Sequence, residues 1–227
     1  ASDRRRPIQD YRRLSAMAAW QRRTGNIEQL HKFSGYSTFD ETRSDPSSSW
    51  YASPRYSRDR QVSWMSKVSL PNLGRQGNGR LEVIASATYQ HQESREEYFI
   101  SRDAMLLSDA LVDTVSTGFY GETNYVSSTT VDGRPLNVYG LASTEWRYGT
   151  RIRHHLSAGM EYRMDANYGA GRLFDVRRPP NLSDNRGARP EGFTLLHPMH
   201  QVALYAENHM TYTLLGRTMQ TQAGVRL

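Results

Sequence analysis

Several segments of the chain alternate between apolar and polar residues at every second position. In the segment that begins at Ile152, one parity carries Leu156 and Met160, and the other carries Glu161 and Arg163. Because successive side chains of a β-strand point to opposite faces of a sheet, this period of two predicts a strand with one apolar and one polar face. The same pattern predicts further strands that start at Gln61, Arg80, Asn137, Gln201 and Arg217.

The first quarter of the chain has a weaker pattern. Residues 10–23 fit a strand and a short helix about equally well. We therefore divide the chain into residues 1–60, a possible first strand followed by a long polar loop, and residues 61–227, which hold the clear strands. The pattern predicts about six to seven strands in total.

The connections between the predicted strands are alternately short and long. Short glycine-containing turns such as "PNLGRQGNG" and "YGT" join strands in pairs, whereas residues 93–136 and 167–200 are long and polar. Loops longer than about 15 residues are uncommon in compact soluble domains. Bacterial outer-membrane barrels combine short periplasmic turns, long extracellular loops and alternating strands of about ten residues. The sequence therefore predicts an all-β fold, a segment of an antiparallel transmembrane β-barrel with short periplasmic turns and long extracellular loops.

In such a barrel one parity of each strand meets lipid and the other meets the lumen. The residues expected to contact lipid are Leu156, Ala158, Met160, Tyr162, Leu204 and Met210. The residues expected to face the lumen are Glu161, Arg163, Glu207, His209 and Arg226. Aromatic residues close to the short turns, namely Trp146, Tyr148 and Tyr212, suit an interfacial girdle.

Composition and charge exclude several other classes of protein. The chain has no run of about 18 apolar residues that could form a transmembrane helix, and it has no cysteine for disulfides or thiolate metal sites. The net charge of +6 makes nucleic acid a candidate partner. However, most arginines are dispersed among acidic residues, so we expect no nucleic-acid binding.

The histidines are the main candidates for metal binding in this sequence. His154 and His155 are neighbours on one predicted strand, so they point to opposite faces and cannot share an ion. No nucleophile, base and orienting group can be assembled from the spacing of residues. We therefore expect no enzymatic activity, no cofactor and no metal.

Several segments resemble the SusC-like family of TonB-dependent outer-membrane transporters from Bacteroidetes. The resemblance is carried by "AGMEYRMDANYGAG", which runs into "LFD" and a double proline, by "HQVALYAENHMTY" and by the closing "MQTQAGVRL". The segments "VDGRPLNVYG" and "ESREEYF" also fit. The resemblance covers roughly residues 60 to 227 and is a pattern over many positions rather than one motif.

The resemblance implies a nutrient importer of the bacterial outer membrane that takes up a glycan or an oligopeptide. Such transporters have a large barrel with an N-terminal plug, a contact with TonB and a SusD-like surface lipoprotein. Because nothing in the sequence resembles the plug, we expect an internal piece of the barrel. Its partners would then be the remaining polypeptide of the same barrel, the SusD-like lipoprotein, TonB through the missing N-terminal part, and outer-membrane lipid.

Aromatic residues in the predicted long loops are candidate contacts for the ligand or for the lipoprotein. These are Tyr98, Phe99, Tyr120, Tyr125, Tyr168 and Phe193. Two other interpretations remain open, a soluble β-sandwich that acts as a binding module and a small, self-sufficient structural outer-membrane barrel.

Overall fold

The computed structural model describes residues 8–43, 54–74, 76–101, 124–180 and 190–227, and these residues form a sheet of ten strands. The strands are β1 (Ile8–Thr24), β2 (Ile27–Arg43), β3 (Arg55–Leu73), β4 (Gly79–Ser101), β5 (Asn124–Gly133), β6 (Pro135–Tyr148), β7 (Arg153–Asn167), β8 (Gly171–Phe174), β9 (Met199–Leu214) and β10 (Arg217–Arg226). A short 3-10 helix covers Phe193–Leu195. The prediction of an all-β fold is confirmed.

All paired strands are antiparallel, and the main path of the sheet is β1-β2-β3-β4-β6-β7-β9-β10. The short strands β5 and β8 lie off this path, where β5 pairs with the final part of β4 and β8 pairs with β5. The edge strands β1 and β10 do not pair with each other, so the sheet is open. The antiparallel arrangement is as predicted, whereas closure into a barrel stays a prediction.

The first part of the chain holds more strand than the sequence predicted. Residues 10–23 lie within β1, so the helical alternative is wrong. The long polar loop expected up to residue 60 contains β2, and β3 already begins at Arg55. The apolar parity of β2 is interrupted by His31 and Gly35. It forms a strand because β1 and β3 provide hydrogen-bonding partners along almost its whole length.

Four short connections lie at one end of the sheet, which we call the turn end. They follow β1, β3, β6 and β9, and the opposite end is called the loop end. In the last of these turns Leu215 and Gly216 both have positive φ, at 50° and 76°. Positive φ at both central residues is the usual conformation of a two-residue hairpin turn, because its twist matches that of the strands.

The strands are staggered in one direction across the sheet. A row of directly paired residues begins at Trp20, close to the turn end of β1, and ends at Val202, close to the loop end of β9. Between them the row passes through His31, Ser66, Ala85, Gly140 and Tyr162. A cumulative stagger of this kind tilts the strands relative to the line of turns, as in the wall of a β-barrel.

The sheet is a single layer over most of its area. Among the described residues, Tyr125 is the one hydrophobic side chain that is buried. None of the described helical segments has the length and apolar character needed to span a membrane. The main path of the sheet therefore has no hydrophobic core on either side.

Candidate functional site

Across the middle of the main path, the pairing register brings most of the apolar residues to one side of the sheet and most of the charged residues to the other. We call one side the apolar face; it carries Leu14, Val62, Val83, Leu156 and Leu204. The other side, the polar face, carries Tyr36, Asp59, Glu82, Glu161 and Glu207. A shift of one residue in any pairing would mix the two faces, so the register itself separates them.

Every residue assigned to lipid or lumen from the sequence lies on the corresponding face. The apolar face includes Leu156, Ala158, Met160, Tyr162, Leu204 and Met210. The polar face includes Glu161, Arg163, Glu207, His209 and Arg226. Because the sheet is open, the contact of the two faces with lipid and with a lumen stays a prediction.

The predicted lumen-facing residues form two charged clusters on β7, β9 and β10. Glu161 accepts hydrogen bonds from Arg163 Nε at 2.6 Å and from Arg226 Nη2 at 3.2 Å. Glu207 lies 3.2 Å from His209 Nε2 and also accepts a hydrogen bond from Gln222. Each acid therefore joins two strands through polar side chains.

A second polar network on β2, β3 and β4 was not predicted from the sequence. Tyr36 Oη donates a hydrogen bond to Asp59 at 2.8 Å, and Gln90 Nε2 donates to both Asp59 oxygens at 2.9 Å. Nearer the turn end, Lys67 Nζ lies 2.8 Å from Glu82. The network was missed because Tyr36 fell in the segment interpreted as a loop.

The polar face also borders a cavity of about 700 Å³ at the turn end of β6, β7, β9 and β10. Its polar lining includes Arg147, Arg153, His155, His209 and Gln222. His155 Nε2 lies 3.5 Å from Glu145. The lining also includes Tyr148 and Met210, so the cavity combines polar and apolar groups.

The apolar face is uncovered and has aromatic pairs at its turn end. Leu14, Val62 and Val202 are 74%, 65% and 63% exposed. At the turn end, the rings of Tyr148 and His154 stack with their centroids 4.8 Å apart. The predicted girdle residues Trp146 and Tyr212 also lie on this face. Hydrophobic side chains with aromatic groups at their border suit the boundary between hydrocarbon and water.

At the loop end, the sheet bends into a second region. Strand β4 pairs with β6 as far as Tyr89 and with β5 from Gln92 onward, so its final part extends past the main path. We call residues 175–180, which follow β8, the rim loop, and we call β5, β8 and the rim loop together the rim. The sequence predicted a loop over residues 93–136. The described residues of this segment lie mostly in β4, β5 and β6 instead.

The rim loop packs against the side of β5 that continues the polar face. Tyr125 Oη donates a hydrogen bond to the Pro179 carbonyl at 2.8 Å, and Ser127 Oγ donates to the Arg178 carbonyl at 2.6 Å. Tyr125, Ser127 and Thr129 are buried there. The rim therefore has the interior packing that the main path of the sheet lacks.

Asp132 anchors the start of β8 from the opposite side of β5. Its carboxylate accepts hydrogen bonds from Ala170 N at 3.2 Å and from Arg134, and it lies 3.3 Å from His91 Nε2. Burial on its own would raise the pKa of Asp132, but the hydrogen bonds from Ala170 and Arg134, the Arg134 charge and the neighbouring His91 outweigh it and lower the pKa. Asp132 is therefore held as a carboxylate.

The structure does not gather the predicted loop aromatics into one site. Tyr98 and Tyr125 lie on the side that continues the polar face, whereas Phe99 lies on the opposite side. A hydrogen bond to Glu96, with partial burial, raises the pKa of Tyr98. Phe193 approaches Gly133, and Tyr168 is half exposed at the bend before β8. Tyr120 lies outside the described residues.

The sequence reasoning also missed the residues that shape the bend. Gly171 has a φ of +97°, and a Cβ atom there would overlap the carbonyl oxygen of Glu191. A Cβ atom on Gly169 would overlap the carbonyl oxygen of Asp132. The "YGAG" sequence was a signal, because paired glycines after a strand often mark a close approach between two backbones.

Within the described residues, no group of three or more histidine, aspartate or glutamate side chains is arranged to hold a metal ion. Comparison with known protein families, with curated proteins and with solved structures gives no match for this chain.

Proposed function

We propose that this chain forms part of the wall of an outer-membrane β-barrel that imports a nutrient, a glycan or an oligopeptide. The main support for the proposal is the uncovered apolar face. It lies on the opposite side of the sheet from the hydrogen-bonded polar face, and the two faces extend across eight staggered strands. In water, such a face would leave large hydrophobic side chains exposed, whereas in a bilayer hydrocarbon covers them. The polar face would then line the aqueous path.

The open edges support a larger assembly. The edge strands β1 and β10 have 17 and 10 residues, and each offers unpaired backbone groups along its free side. In hydrocarbon each unsatisfied group costs several kcal/mol, so the sum exceeds the roughly 5–15 kcal/mol that stabilises a typical domain. The proposal therefore includes further strands of the same barrel that pair with both edges.

The assignment to the SusC-like family rests on the sequence resemblance. In that assignment, the loop end faces the cell exterior, where the rim lies next to a SusD-like lipoprotein. The turn end faces the periplasm, and TonB acts through another part of the protein. We propose no catalytic step, because nothing in the charged clusters combines a nucleophile with an oriented base.

A combined flotation and labelling experiment tests the proposal. We expect the purified protein to float with lipid vesicles after reconstitution and to yield peptides from additional barrel strands in mass spectrometry. In intact cells, a membrane-impermeant thiol reagent should modify Val176→Cys in the rim loop and spare Arg151→Cys at the turn end, since both positions are exposed. Modification of Arg151→Cys alone would reverse the orientation, and a protein that stays in water without vesicles would refute the membrane assignment.

One alternative is favoured by a specific observation. The main path has eight strands, and its edge strands β1 and β10 run antiparallel to each other, so direct pairing would close a small structural barrel. A folded, detergent-resistant species of 26.0 kDa would identify this small barrel. A heavier species would support the larger transporter. The soluble β-sandwich has less support, because no second sheet covers the apolar face among the described residues.

A further inference from the structure

The apolar face ends at a definite row of residues towards the loop end. Val62 is paired with Tyr89, and Tyr89 with Leu136, which gives an apolar row across β3, β4 and β6. Towards the loop end, the next two residues on the same face of β3 are Arg60 and then Arg58. We call Arg58 and Arg60 the arginine pair.

The acids around the arginine pair are held by other groups. Glu93, directly opposite Arg58, accepts a hydrogen bond from Tyr56 Oη at 2.8 Å. Asp132, in the same row, is held by Arg134, His91 and the Ala170 amide. Among the described residues, no carboxylate forms an ion pair with either member of the arginine pair.

The flanking acids on this face are also paired. Glu41 lies 2.6 Å from Arg43, and Glu97 lies 2.9 Å from Arg95. On β1, Asp10 lies 2.8 Å from Arg12. Among the described residues of this strip, Arg58 and Arg60 are therefore the arginines without an ion pair, and their two charges exceed the single charge of the nearby Glu93.

The arginine pair is also positioned to bind an anion. Both side chains are exposed, and the Arg58 guanidinium lies over the Phe39 ring at 5.8 Å from its centroid. Residues two apart on a strand point the same way and are separated by about 7 Å. Guanidinium groups bind phosphate oxygens through paired N–H donors and lose their hydration more easily than ammonium groups.

We infer that Arg58 and Arg60 bind the phosphate of lipid headgroups at the outer surface of the membrane. The inference rests on the proposed function, because it requires the apolar face to meet lipid. Val62 and Trp64, the next residues of this face towards the turn end, are 65% and 37% exposed. A lipid can therefore lay its acyl chain on these side chains while its phosphate reaches the arginine pair, whereas free phosphate gains no apolar contact.

The test uses the protein purified from its membrane and reconstituted in phosphatidylcholine bilayers with spin-labelled phosphatidylglycerol as the probe. We expect selective association of the anionic probe over spin-labelled phosphatidylcholine. The double variant Arg58→Ala/Arg60→Ala should weaken its relative association about twenty-five-fold, since each arginine near an anionic surface contributes roughly five-fold. The variant Arg58→Lys/Arg60→Lys should recover part of the loss.

A matched control removes two arginines from the polar face, Arg13→Ala/Arg55→Ala, and should leave lipid association unchanged. Wild-type association in the Arg58→Ala/Arg60→Ala protein, with normal insertion, overturns the inference alone. Displacement of the probe by inorganic phosphate at equal concentration overturns it in favour of a free-phosphate site. Failure of the wild-type protein to insert into bilayers refutes the proposed function, and the inference with it.

Discussion

The main path of the sheet and the rim are built from the same kind of strand but are stabilised in different ways. On the main path, both faces are accessible, and order comes from the backbone ladder and from polar side chains such as Tyr36 and Asp59. At the rim, Tyr125 and Ser127 are buried under the rim loop. The main path therefore depends on its surroundings, whereas the rim supplies its own interior.

This difference changes what a substitution should do. On the main path, the effect of a substitution depends on the face. If the apolar face meets hydrocarbon, a polar side chain is costly there but is tolerated on the polar face. At the rim, the important variable is volume, because backbones approach each other closely at Gly169 and Gly171.

The largest effect is expected for an arginine on the apolar face of β7. Ala158→Arg should destabilise the protein in the membrane by about 2–4 kcal/mol, the cost of an arginine at a lipid-facing position near the bilayer centre. Its matched control is Ser157→Arg, which enters the polar face directly between Glu145 and Glu207. The effect of each substitution is measured as the fraction of folded protein recovered from the membrane. Equal losses would indicate a sheet with water on both sides.

The contrast between the main path and the rim also shows how much of the structure can be predicted from sequence. Alternation over Leu156–Met164 and Val202–Met210 determined both faces of β7 and β9 correctly, because period two is a local property. Strand β2 was missed since His31 and Gly35 interrupt its apolar parity, and only pairing with β1 and β3 makes it a strand.

The rim could not be predicted for a different reason. In β5, "YVSSTTVDG" places Ser127 and Thr129 in a buried environment, although serine and threonine usually indicate exposed loops. Their burial depends on contacts such as Tyr125 with Pro179, which are 54 residues apart in the chain. No local pattern in the sequence carries this information. The charge pairs around Asp132 depend on the same long-range packing.

The second prediction concerns volume at the rim. Gly171→Ala should weaken the docking of β8 by roughly 1–3 kcal/mol, because the residue has positive φ and a Cβ atom would overlap Glu191. Hydrogen exchange of the Arg172 and Glu191 amides, which bond to each other's carbonyl groups, measures the opening. The control Gly140→Ala on the main path meets nothing within 4 Å and should be neutral. Unchanged protection in Gly171→Ala would mean that the backbone approach is not rigid.

The third prediction concerns pH at the rim. Because the folded state lowers the pKa of Asp132, its contribution to stability is present above its unfolded pKa of about 3.9 and is lost as the pH falls through the folded pKa. Below about pH 4, the Ala170 amide should therefore lose protection relative to its intrinsic exchange rate. In Asp132→Asn the protection should be weaker at neutral pH and nearly independent of pH. The control Asp165→Asn, on the exposed part of β7, should behave as wild type.

The smallest effect is expected for Ser127→Ala, which removes one hydrogen bond and leaves the volume of the rim almost unchanged. Ser127 is fully buried, and its Oγ donates to the Arg178 carbonyl at 2.6 Å. Arg178 itself is exposed, so water can partly replace the lost donor, and the net cost should be about 1 kcal/mol. If the rim loop is held to β5 from this side, trypsin should cut after Arg177 about five-fold faster in the variant, because the open state becomes more populated.

The matched control is Ser128→Ala, since Ser128 points to the opposite side of β5 and accepts a hydrogen bond from Arg95 instead. Equal acceleration in both variants would locate the effect in strand β5 as a whole, and no acceleration in Ser127→Ala would mean that the Tyr125 contact with Pro179 holds the rim loop by itself.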